Sequence, residues 1–374
     1  MKTKKSDILL CVLFCGFLGV MLALYLLLPV QTFSEKEKRE LAKAPVLTWD
    51  NIASGEFGEQ AESYLADHIP GRDLLVGISA YYDLLSNRQV TKDIYLAEND
   101  RLVEAPVKND AQTIARNMRK INAFAETIGR PVDMMIVPSA GYLYQDQVKG
   151  LKDPYCDDKI IENIYTQAGE YVTGFDITAV YQQAKDQDRL YYRTDHHWTS
   201  RGAYTAYRAY MQYKNRQYLP QDAFSVSSVG GFFGSTYSRS GLWLTKGEEV
   251  ELWDSGTKLS VQNAESDTVH ESVFYRERLE ELDKYTVYLD GNHSLVRVQN
   301  PDAAGKGKLL VIRDSYANCL GTFLAEGYAE VVLVDLRYYK EPISELVKQE
   351  EFDDILVCYS LGNFMTDTNI MFLR

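Results

Sequence analysis

The chain has 374 residues, 45% of them hydrophobic, enough to bury a core in one large domain or two smaller ones; this excludes a disordered or repeat protein. Its formal net charge is −13, and because the first thirty residues carry three lysines and one acid, net +2, the remainder stands at −15 and repels nucleic acid and other polyanions. Of the five cysteines, Cys11 and Cys15 fall in an apolar N-terminal stretch, while Cys156, Cys319 and Cys358 show neither CxxC nor metal-ligand spacing, leaving at most one bridge and no disulfide framework.

From Ile8 to Val30 there are 23 residues without a charge. As a helix they would span about 34 Å, enough for the hydrocarbon core of a bilayer. Lys2, Lys4 and Lys5 precede them, which keeps that end in the cytoplasm and sends the rest of the chain outside. A cleaved signal peptide is the rival reading, but the run is long for one and lacks a small-x-small cleavage site. The expected location is therefore the cell membrane, single-pass, with residues 1–30 as tip and anchor and the bulk extracytoplasmic.

Residues 31–90 read as a charged stalk and helical entry segment, with helical spacing through Phe57 to Leu65 and Leu74 to Leu85. The main domain, 91–374, opens on a helical pattern from Ala111 to Ile128 that feeds a buried strand from Val132 to Val137, stopped by Pro138. Near the C-terminus the order repeats: strand Leu309 to Ile312, helix Tyr316 to Glu326, strand Val331 to Val334, helix Ile343 to Gln349, strand Ile355 to Cys358. Such alternation predicts an α/β fold, a parallel sheet flanked by helices. Between the halves, residues 218–306 read as a β-rich insertion with short strands such as Glu249 to Trp253 and Thr286 to Leu289. The tyrosines at 204, 207, 210 and 213 keep one helical stripe, a packing pattern. Other exposed aromatics near a site could stack on sugar rings.

Two of only five histidines stand in Thr194-Asp195-His196-His197-Trp198-Thr199. If the segment is extended, Asp195 and His197 share a face and His196 points away. Asp195 would then fix the tautomer of His197, and His197 would deprotonate Ser315, which follows a buried strand in Arg313-Asp314-Ser315-Tyr316. Ligands bind beyond the carboxyl ends of parallel strands, where Ser315 falls and where its N–H could help hold an oxyanion. Asn363, Arg337 and Tyr316 lie at the same end of the sheet and are candidates for oxyanion or substrate binding. Each has a plainer reading: a helix cap for Ser315 or Asn363, a surface ion pair for Arg337. A metal on Asp195, His196 and His197 would need further ligands, and His68, His270 and His293 fall in no metal-binding pattern, so no cofactor is expected.

The block from Thr194 to Thr199 with Gly202, the Ser315 block, and the membrane-proximal Ser34 to Pro45 with Asp67-His68-Ile69-Pro70-Gly71-Arg72 resemble the DHHW-type proteins and the alginate O-acetyltransferases of the SGNH-like hydrolase superfamily. The resemblance implies an SGNH-like fold with catalytic Asp195, His197 and Ser315, acetyl transfer or removal on a cell-surface polysaccharide, and a membrane-bound O-acyltransferase as partner. The chain departs from the pattern where Arg313 replaces the usual glycine, and where no lysine follows Pro138. A non-catalytic surface scaffold that binds polysaccharide or the acyltransferase through the β-rich insertion is the alternative.

Overall fold

The computed structural model describes residues 5–86, 90–148, 150, 153–187 and 189–374, so Lys2 and Lys4 lie outside the described residues. The chain divides into two compact units, Met1–Thr91 with Ser238–Leu244, and Lys92–Tyr237 with Thr245–Arg374.

In the smaller unit, Lys5–Leu27 forms one helix with a mean hydropathy of 2.7 and no buried side chain, long and apolar enough to cross a membrane. Helices Trp49–Ser54, Glu56–His68 and Arg72–Leu85 follow, the last two over the predicted segments. Their link to the stalk is ionic: Arg39 reaches Asp67 at 2.8 and 2.5 Å, and Arg72 reaches Glu37 at 2.7 Å. The Arg39 hydrogen bond outweighs burial and holds the Asp67 carboxyl down to about 2.

The larger unit is built on eight strands: β1 (Val132–Val137), β2 (Val172–Gly174), β3 (Ser260–Asn263), β4 (Val269–His270), β5 (Leu295–Gln299), β6 (Lys308–Arg313), β7 (Glu330–Val334) and β8 (Asp354–Ser360). Their order is β4-β3-β5-β7-β6-β8-β1-β2. The pairs from β7 through β2 are parallel, as the alternating pattern requires, while β5, β3 and β4 add on antiparallel beside β7. The predicted insertion thus supplies three strands of the same sheet, and a separate hairpin of Ser225–Phe232 with Glu248–Asp254. One expected strand fails. Of Thr286 to Leu289, the first two residues lie in a 3₁₀ turn, Lys284–Val287, and only Tyr288 makes a single bridge, to Phe274. Val287 serves burial there, and Thr286 donates its hydroxyl to Asp283 O within the turn, so neither β-branched residue serves a ladder.

Period-two alternation gives each central strand two apolar faces. Leu309, Val311, Leu333, Leu356 and Cys358 join one core with the buried Tyr204, Tyr207 and Tyr210 of helix Ser200–Tyr213. Leu310, Ile312, Val332, Ile355 and Val357 join the other, with Ile114, Met118 and Ile121 of helix Ala111–Ile128. Asp110 caps that helix by accepting from Gln112 N, and Gly129 ends it at φ 62°, a left-handed backbone that favours glycine. All five cysteines are free, with Cys319 and Cys358 buried.

Candidate active site

β6 ends at Arg313, and the chain turns through Asp314 and Ser315 into helix Tyr316–Leu324. Ser315 sits at the cap position with φ −64° and makes no capping hydrogen bond. Asp314 does that work: its Oδ1 accepts from Tyr316 N at 3.0 Å, and its Oδ2 from Ser360 N, Ser360 Oγ and Asn363 Nδ2 at 2.9, 2.8 and 2.8 Å. The carboxylate thereby ties the turn after β6 to the end of β8. The Ser315 hydroxyl faces His197 instead, with Oγ 2.8 Å from Nε2.

His197 arrives on a tight loop. Tyr191 and Trp198 form an antiparallel bridge, and residues 193–197 between them bend rather than extend. Asp195 and His197 still meet, because Asp195 Oδ1 accepts from both His197 N at 2.9 Å and His197 Nδ1 at 2.5 Å. The bend also changes where His196 goes. It does not point away but lies against His197, ring centroids 3.9 Å apart, with its Nδ1 2.6 Å from Ser235 Oγ. Glu248 holds the loop, accepting from Arg193 N, Thr194 N and Thr194 Oγ1 at 2.9, 2.7 and 2.6 Å. Trp198 is fully buried and donates to Tyr316 O at 2.9 Å, tying the loop to the Ser315 turn.

Gly234 makes the packing possible. A Cβ there would stand 2.1 Å from Asp195 Cβ, and the close approach lets Ser235 N donate to Asp195 Oδ2 at 2.6 Å. Burial alone would raise the Asp195 carboxyl, but the charges of His197 and His196 and the His197 hydrogen bonds hold it well below the usual carboxylate range. Burial, with His197 beside it, pushes His196 below the ordinary imidazole value.

Asp195, His197 and Ser315 are 3%, 7% and 8% exposed, a buried chain of hydrogen bonds from carboxylate through imidazole to hydroxyl. Such a chain can orient one imidazole tautomer and accept a proton from the serine. The other three candidates stand differently. Asn363 gives its amide to Asp314. Arg337 is paired with Asp335 at 2.6 Å, and Asp335 also faces the buried Arg313 at 3.4 Å. Tyr316 is buried, its hydroxyl donating to His196 O and its N–H to Asp314. Asp195, His196 and His197 also bring one metal-capable atom each within 4.8 Å of one another. His197 Nδ1 and Asp195 Oδ1 are bonded to each other and His196 Nδ1 to Ser235, so a metal would have to displace these contacts.

Sequence reasoning missed Asp314, Ser235 and Glu248. Glu248 left a signal: alternation along Glu248–Asp254 puts it on the same buried side as Val250 and Leu252, a carboxylate on an apolar face.

A serine at the end of a parallel strand, facing an Asp-supported histidine on a mixed α/β sheet, marks an α/β protein with a Ser-His-Asp arrangement. More narrowly, the chain belongs to the DHHW protein family, whose model matches residues 103–334. Over 176 residues it is 23% identical to the probable alginate O-acetylase AlgJ of Pseudomonas putida; the match takes in 45% of this chain and 46% of that protein, so the chain spans about half the length of this curated relative. A DHHW family protein from Eubacterium siraeum has the same fold, with a TM-score of 0.66 at 19% identity over 76% of this chain and 95% of that one. Bacillus cereus PatB1, solved with a sulfonyl adduct, gives 0.62 at 17% identity over 75% and 98%.

Proposed function

We propose that the protein is an extracytoplasmic O-acetyltransferase or acetylesterase, anchored in the membrane by helix Lys5–Leu27 and acting on a cell-surface polysaccharide through Ser315, His197 and Asp195. The observation that carries this reading is the unbroken contact from Asp195 Oδ1 to His197 Nδ1 at 2.5 Å and from His197 Nε2 to Ser315 Oγ at 2.8 Å. The similarity to a probable alginate O-acetylase supports the substrate class.

The steps follow from the contacts. Asp195 accepts from Nδ1–H, which leaves the Nε2 lone pair directed at the serine. His197 takes the Ser315 proton as Oγ attacks the acetyl carbonyl, and the oxyanion is held by the Ser315 N–H at the start of helix Tyr316–Leu324. The donor leaves with the proton from His197, and the acetyl group stays on Oγ as an ester. An acceptor hydroxyl, or water, then gives its proton to His197 and takes the acetyl group, restoring Ser315. A membrane-bound O-acyltransferase would supply the acetyl group. Transferase and esterase differ only in the acceptor.

The test is turnover of a chromogenic acetyl ester by the full chain in detergent, together with labelling by a sulfonyl fluoride. Wild type should turn over and take one label; Ser315→Ala and His197→Ala should each lose roughly a thousandfold or more in kcat. Undiminished turnover in either variant would sink the assignment.

A further inference from the structure

Both faces of the His197 ring are covered. On one side lies Tyr285, nearly parallel at 11° with ring centroids 3.9 Å apart; on the other lies His196, also at 3.9 Å, tilted by 36°. Tyr285 comes from the 3₁₀ turn Lys284–Val287, far from both catalytic segments in sequence, and is buried. Its hydroxyl lies 3.4 Å from Ser315 O and 3.3 Å from Tyr316 O, the carbonyls of the turn that carries the nucleophile.

We propose that Tyr285 is a positioning residue for the reaction: its ring keeps the His197 imidazole in the plane running from Asp195 to Ser315 and stabilises the imidazolium formed when Ser315 is deprotonated, while its hydroxyl steadies the Ser315 turn. This rests on the reading of His197 as the base given above. A buried tyrosine is most often core filling, and two features set this one apart. The aromatic pairs elsewhere around Tyr285 are edge-on or strongly tilted, such as Tyr192 at 88° and Tyr288 at 66°, whereas the contact with the imidazole is face to face. A face-to-face ring presents its negative quadrupole to a cation, and the site is desolvated, where such a contact counts most. The polar tip also touches the Ser315 turn rather than an unrelated loop.

The groups that face His197 are Asp195 and His196 from its own loop, Tyr285 from the 3₁₀ turn, and Ser315 with Tyr316 from the nucleophile turn. Of these, Asp195 and Tyr285 favour the imidazolium and a protonated His196 would oppose it. Burial and the neighbouring His197 push His196 below the ordinary imidazole value, which lessens that opposition. Removing the Tyr285 ring takes away one of the two favourable contacts without touching the other.

The experiment uses the full chain in detergent micelles with isotope-labelled histidine, reading the His197 titration by NMR alongside the pH profile of ester turnover. With five histidines in the chain, a His197→Gln spectrum assigns the signal. Tyr285→Leu should lower the His197 pKa by about half to one unit and carry the acid limb of the rate profile down with it. Its kcat should fall roughly tenfold or more with KM within about a factor of two, because the loss is of orientation and not of substrate contact. Tyr285→Phe, which keeps the ring and fills the core, should retain the wild-type titration. An unchanged His197 titration in folded Tyr285→Leu overturns the proposal, as does a fall in turnover with an unmoved pH profile. If the leucine variant does not fold, Tyr285→Met takes its place, and a Tyr285→Phe titration displaced as far as that predicted for leucine overturns the proposal as well. Absence of both turnover and Ser315 labelling in wild type would defeat the catalytic reading instead, while the NMR titration still decides whether the tyrosine ring stabilises the imidazolium.

Discussion

Replacing Asp314 with alanine removes the acceptor on which four donors converge: Tyr316 N, Ser360 N, Ser360 Oγ and Asn363 Nδ2, all between 2.8 and 3.0 Å. Asp314 is only 2% exposed, so these donors lose their partner away from bulk water. A hydrogen bond to a charged group contributes about 1.5–3 kcal/mol, and an orphaned buried donor costs about 1–3 kcal/mol. The Ser360 hydroxyl can rotate and water can enter the small void, so the four do not add, and the expected loss is about 3–5 kcal/mol. Asp314→Asn keeps one oxygen for the three donors on the Ser360 side and sets its amide against Tyr316 N–H, for a cost of about 1–3 kcal/mol. Chemical denaturation followed by tryptophan fluorescence, with the m-value held constant between variants, reads both numbers. An alanine variant within about 1 kcal/mol of wild type, or an asparagine variant as damaged as the alanine one, would refute the view that this carboxylate clamps the Ser315 turn to β8.

Gly234→Ala places a Cβ 2.1 Å from Asp195 Cβ, which must push Asp195 off His197. Turnover should fall roughly a hundredfold, as expected for a displacement near 1 Å, and wild-type kinetics would show that the loop yields elsewhere. Asp195→Asn should reduce kcat by roughly 10²–10⁴ with little change in KM, since the amide favours the wrong imidazole tautomer; a loss confined to KM would argue against that role. Glu350 is held down to about 2 by its hydrogen bond to Arg297, with Lys308 adding and burial opposing. Its folded value is depressed below the ordinary 4.5, so its contribution to stability is complete above that pH and is lost as pH falls toward 2. Stability measured from pH 6 down to pH 3 should therefore fall less steeply in Arg297→Met, and identical slopes would count against the pairing.

The parallel half of the sheet was legible because its strands are buried on both faces and separated by helices of the right length. Helix Ala111–Ile128 and strand Val132–Val137 run over the segments expected from periodicity, punctuated by Asp110, Gly129 and Pro138. The meeting of Asp195 with His197 was legible in outcome though not in geometry. Two-residue spacing brings side chains together in an extended strand, yet here a bent loop does so through the Asp195 hydrogen bond to His197 N. That difference is why His196 stacks where it was expected to turn away. Asn363 and Arg337 illustrate the other limit. Their place at the end of the sheet could be read, and the partner of Arg337, Asp335, stands two residues before it, within reach of a local reading, whereas Asn363 meets Asp314 only across the sheet, which no local pattern reports. Tyr285 was invisible for the same reason, reaching His197 only through the folding of the insertion.

The strand order has one more consequence, for how the protein behaves among its neighbours. The eight-stranded sheet tapers at its two margins to β4, two residues long, and β2, three residues long. A margin that short offers few free N–H and C=O groups to an incoming strand, so the antiparallel additions from the insertion also shield the parallel sheet from pairing with other chains. Short margins of this kind guard against edge-to-edge aggregation without spending charged residues on the task.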